Sequence, residues 1–162
     1  MAFCTRVFCR EAVAPPLSEL LVWMRQHETP VTIVGGQSRA DLLSTSWTEV
    51  ELSYDPAEEP LVVRCHHAAD PAGAAALRAE TGDFLEDLAE LPASEARERV
   101  RGQLQATRIV VVVEFPEGGV AKRGYETNGW LMSIFVERAE GMVQCDGIGF
   151  YDEDDEVILP LG

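Results

Sequence analysis

Cys65-His66-His67 is the densest run of metal-ligand side chains in the chain. On an extended strand Cys65 and His67 point to one face and His66 to the other. Two ligands on one face, completed by Cys145, define a candidate metal site of Cys65, His67 and Cys145. No Cys-x-x-Cys or His-x-x-x-His pair supports it, and a core cysteine followed by two surface histidines explains the same residues. The expectation is no metal and no cofactor. A cysteine nucleophile needs a thiolate beside a histidine or a helix N-terminus. Adjacent strand residues face apart at Cys65, and Asp146 would raise the thiol of Cys145. No Gly-x-Ser-x-Gly elbow is present, and Gly35-Gly36 lacks the full phosphate-binding pattern. Glu114 closes an otherwise apolar run, which suggests a partly buried carboxylate paired with an arginine such as Arg108 or Arg138. The enzyme question leans to no.

The most distinctive local stretch is Gly124-Tyr125-Glu126-Thr127-Asn128-Gly129-Trp130. With Asn128 read as a helix cap, Lys122, Arg123, Tyr125, Asn128 and Trp130 surround a helix N-terminus. Aromatic walls, free N–H groups and two cations there suit a small molecule. The competing reading makes Trp130 core and Tyr125 packing on the cap. This stretch, continued to Tyr151, resembles a bacterial domain of unknown function, a likeness that implies no activity. Asp152 to Glu156 has five adjacent carboxylates but lacks the alternating ligands of a calcium loop, so it reads as a solvated hairpin tip.

Charge bounds the partners. The chain has 28 acidic and 13 basic residues, a net of −15, and Lys122 is its one lysine. Nucleic acid and anionic membrane are bound mainly through clustered Lys and Arg, so neither is expected. A basic protein partner is. The carboxylates Glu80, Asp83, Asp87 and Glu90 are expected along one wet helix face and form the candidate interaction surface. The four cysteines are expected as free thiols in a cytoplasmic protein, since no secretory signal is evident.

These residues need elements to hold them. Alternation predicts strands at Phe3 to Cys9 and Trp47 to Tyr54; Leu61 to His67 is expected as the hairpin partner of the second, and Val31 to Val34 as a short apolar strand. Arg108 to Phe115 is nearly all β-branched and apolar on both faces, the mark of a strand covered on both sides. Short strands follow at Met142 to Asp146, Ile148 to Tyr151 and Glu156 to Leu159. Helices are predicted from Pro16 to His27, from Asp70-Pro71 to Leu91 with a break near Gly82, from Glu95 to about Thr107, and from Asn128 to Gly141. Ser38 to Leu43 suits a helical turn. Hairpins mixed with helical crossovers favour an α+β fold. One globular domain spans residues 1–162, with a mixed, mostly antiparallel sheet and three to four helices packed on it. The function drawn from all this is a non-enzymatic protein-interaction module with an acidic surface, immunity-, inhibitor- or adaptor-like. The alternatives are the small-molecule site near residues 122–130 and the metal site.

Overall fold

A computed structural model describes residues Ala2 to Leu161. Among them the chain runs β1 (Cys4–Cys9), α1 (Leu17–Gln26), β2 (Thr32–Ile33), α2 (Arg39–Leu43), β3 (Glu49–Ser53), β4 (Leu61–His67), α3 (Pro71–Ala89), α4 (Glu95–Gln105), β5 (Ile109–Glu114), α5 (Lys122–Ala139), β6 (Gly141–Cys145), β7 (Gly149–Tyr151) and β8 (Val157–Pro160). The eight strands form one sheet in the order β2-β3-β4-β5-β1-β6-β7-β8. Every neighbouring pair is antiparallel, so the fold is α+β as expected, with five helices where three to four were predicted. The extra one is the short α2, whose Ser38 and Asp41 form a reciprocal capping box.

Helices cover both faces. Val7, Cys9, Val63, Cys65, Ile109, Val111 and Val113 meet α1 and α5 on one face. Phe8, Val110, Val112, Met142 and Phe150 meet α3 and α4 on the other. This is why β5 is apolar at consecutive positions: each of its first five side chains is buried, alternately above and below the sheet. β5 and β6 flank β1, so α5 is the crossover between two strands that run parallel on either side of it.

Three local expectations are corrected. α3 is unbroken at Gly82, because the cost of one helical glycine, about 1 kcal/mol, is small beside the packing of Leu77, Thr81 and Leu88. α5 starts at Lys122, six residues before Asn128. Gly124, which looked like loop, sits inside its first turn because a Cβ there would stand 2.7 Å from Val120 Cβ and 3.0 Å from the Tyr54 ring. At the other end Glu140, not Gly141, takes the left-handed position, and Gly141 opens β6.

Gly149 in β7 carries a sharper constraint. Its φ is 136°, and a Cβ there would lie 2.2 Å from the Leu159 carbonyl oxygen of β8. Gly149→Ala is expected to cost about 1–3 kcal/mol, from strain at a position that disfavours side chains and from displacement of β8. Urea unfolding of the variant measures it; an unchanged midpoint would contradict this account.

Candidate functional site

The sheet register separates the residues proposed as metal ligands. Cys65 and His67 share a face of β4, while Cys145 lies on β6, three strands away, roughly 14 Å across the sheet. His67 is buried and its Nε2 donates to the Trp47 carbonyl at 2.8 Å. Among the described residues no group of three or more His, Cys, Asp or Glu side chains is placed to hold a metal ion. Burial pushes the Cys65 thiol up to about 12 and the Cys145 thiol up to about 11, away from the thiolate that nucleophilic chemistry requires.

The cluster expected around residue 128 does not converge either. Lys122 and Arg123 are exposed on the first turn of α5. Tyr125 points outward against Phe115, with ring centres 5.5 Å apart. Asn128 is no cap: it lies mid-helix in the core, where its Nδ2 donates to Thr5 Oγ1 at 3.1 Å. Trp130 is on neither the core face nor the N-terminus. It is 41% exposed and stacks on the His27 ring at 3.9 Å. The misplaced helix start caused both errors: with α5 beginning at Lys122, residues 128 and 130 lie in its second and third turns and not at its N-terminus.

The acidic face of α3 is also redistributed. Asp83, Asp87 and Glu90 are exposed, but Glu80 turns inward to Arg6. Arg6 is a charged side chain under the α3 layer, on the strand at the middle of the sheet. Its Nε donates to Glu80 at 2.5 Å, and its Nη1 to Asp146 at 2.7 Å and Gln144 at 2.8 Å. The guanidinium also lies over Phe84, 5.4 Å from the ring centre. Asp146 accepts in addition from the Cys4 backbone N–H. This network pins α3 to the sheet, with the Nε and Nη1 of Arg6 both committed to it. Glu114 does pair with an arginine, but with Arg64 at 2.6 Å, its diagonal neighbour on β4 two residues past its register partner Val62.

What remains open is a groove of about 470 Å³ between α5 and the β6–β7 part of the sheet. α1 packs on one flank of α5, where the Trp23 indole donates to the Trp130 carbonyl and to Ser133 Oγ. Among the described residues no helix packs along the other flank. Met132 and Val136 of α5 and Val143, Cys145 and Tyr151 of the sheet make the apolar lining, with Gly129 and Ser133 along the helix and Trp130 bordering them. Four carboxylates rim it: Glu126, Glu137, Glu153 and Asp155. Among the described residues no lysine or arginine lines it. Two of the four have cations outside the groove, Glu126 facing Lys122 at 3.8 Å and Glu153 paired with Arg99 of α4. From this set the sequence offered two candidates, Trp130 for a small-molecule site and Cys145 for a metal, and did not bring them together. The signal available was the spacing of Glu126, Gly129, Ser133 and Glu137, one polar helical stripe once the helix is known to begin at Lys122.

No protein-family model, no curated protein and no solved structure matches this chain. Among the described residues no helix is long and apolar enough to cross a membrane.

Proposed function

We propose that this protein is a non-enzymatic interaction module that holds a basic segment of a partner protein in the groove between α5 and β6–β7. One observation carries the reading: an apolar-lined groove whose charged rim is wholly acidic. Apolar floors supply binding energy through buried area, while a rim of one sign selects the partner and speeds encounter. The net charge of −15 adds long-range attraction for the same partner. The surface thus moves from α3 to α5, because Glu80 is committed to Arg6.

A lysine-rich peptide with interspersed leucines tests this by calorimetry. We expect binding that weakens about tenfold or more between 50 mM and 500 mM salt, as charge-driven association does. Neutralising the rim together (Glu126→Gln, Glu137→Gln, Glu153→Gln, Asp155→Asn) should weaken binding at least tenfold. Neutralising α3 instead (Asp83→Asn, Asp87→Asn, Glu90→Gln) should change it less than threefold. Equal effects from both sets would show a general response to charge and remove the groove as the site.

A further inference from the structure

The groove has the form of a vacant position in a helix layer. α1 lies against one flank of α5, and the opposite flank faces strands that carry side chains but no helix. Val143, Cys145 and Tyr151 project from this face of the sheet, and Val157, the partner of Tyr151 across β8, is 42% exposed. The α5 wall runs from Glu126 to Glu137, a length of about 16 Å, which is three helical turns. Its central positions are Gly129 and Ser133, one turn apart, and a Cβ built at Gly129 meets nothing within 4 Å. Small residues at that spacing let a second helix axis approach closely.

We infer that the occupant is a basic amphipathic α-helix of the partner, laid beside α5 across β6 and β7 so that it completes the helix layer. The inference rests on the basic-partner reading above and adds the partner's conformation. Its apolar stripe would meet Met132, Val136 and Val143. Its lysines or arginines would flank that stripe and reach Glu137 and Asp155, whose carboxylates have no cation of this chain beside them among the ion pairs described. This is the helix-in-groove mode of recognition. An added strand is the geometric alternative, and the edge of the sheet opposes it. β8 pairs through Leu159 with Phe150 and through the Leu161 N–H with Ile148, which turns Pro160 outward, and proline offers no N–H to a new strand. A second copy of this chain is opposed by charge, since it would bring another net −15 to an acidic rim.

Two synthetic peptides of identical leucine and lysine content, each 18 residues by design, separate these outcomes. One has leucines at helical spacing; the other alternates strictly. We expect the helical pattern to bind at least tenfold more tightly and to gain helical circular dichroism on binding. Gly129→Arg should weaken it at least tenfold without lowering the melting temperature, because arginine is a better helix former than glycine. Gly82→Arg, the same charge change on α3 beside Asp83, should weaken it less than threefold. Equal or tighter binding of the alternating peptide overturns the helix and leaves the basic-partner reading standing. Binding of neither peptide overturns both. A larger effect from Gly82→Arg puts the site on α3 and overturns the groove. Sedimentation of the protein alone must show a monomer; a dimer dispersed by Gly129→Arg would make a second copy the occupant and overturn the assignment.

Discussion

Replacing Arg6 with alanine is expected to cost about 3 kcal/mol of folding stability, the low end of the range for breaking a buried ion pair because Asp146 still sees some water. The loss does not come from one contact. The substitution leaves Glu80, Asp146 and the buried Gln144 amide oxygen facing a cavity below Phe84, and carboxylates without a cation in that setting are more costly than the original pair was favourable. Arg6→Lys should recover only part of the loss, since one ammonium cannot reproduce the guanidinium's planar set of donors. An Arg6→Met, Glu80→Leu, Asp146→Asn variant should be more stable than Arg6→Ala, because the uncompensated charge is gone. Urea unfolding of the three variants checks this. If Arg6→Ala lies within about 0.5 kcal/mol of the parent protein, the network contributes no more than a surface ion pair.

The second large effect is alkaline. Cys9, Cys65 and Cys145 are buried thiols, and burial raises all three above their usual value of 9.0. The folded state therefore keeps these protons after the unfolded chain has released them. Their contribution to stability is complete below about pH 9 and is lost as pH rises toward about 11 for Cys145 and about 12 for Cys65. At pH 10 Cys65 and Cys145 together have lost roughly 3 kcal/mol, and Cys9 adds to the loss in the same direction. Denaturation midpoints at pH 8 and pH 10 measure the drop. A triple Cys→Ala variant, less stable at pH 8 from the space it leaves, should show a much flatter alkaline limb. If its limb is as steep as the parent's, other groups carry the alkaline loss.

The sequence made the sheet legible where periodicity was strong. Val50, Leu52 and Tyr54 alternate with Glu49, Glu51 and Ser53, whereas Ile109 to Val113 is apolar throughout, and those two patterns distinguish β3, second from the sheet edge, from β5 at the centre. The caps were equally plain, with Ser94 and Asp70 each accepting from a backbone N–H three residues on. The start of α5 was hidden because Gly118, Gly119, Gly124 and Gly129 look like one continuous loop. The close approach of Val120 and of Tyr54, which follows β3 about seventy residues earlier, explains a glycine inside the helix. Arg6 was hidden for the same kind of reason. Alternation assigns it the polar side of β1, but that this side is also covered depends on α3. The groove joins residues from α5, β6, β7 and the turn that follows, and no local pattern links Val136 to Tyr151.

β1 has a further consequence, one of timing. Among the described residues it precedes every other strand of its sheet in the chain and sits between β5 and β6, its register partners Glu114 and Cys145 lying more than roughly a hundred residues downstream. The N-terminal segment can form the β3–β4 hairpin and the α3–α4 pair while still emerging, but the centre of its sheet must wait. Bringing such distant strands together is slow, because loop-closure entropy is lost before any pairing is gained. Until then Phe8, Val7 and the apolar run of β5 stay exposed to other chains. Refolding at rising protein concentration should therefore lose yield to aggregation well before the native state itself shows any tendency to associate.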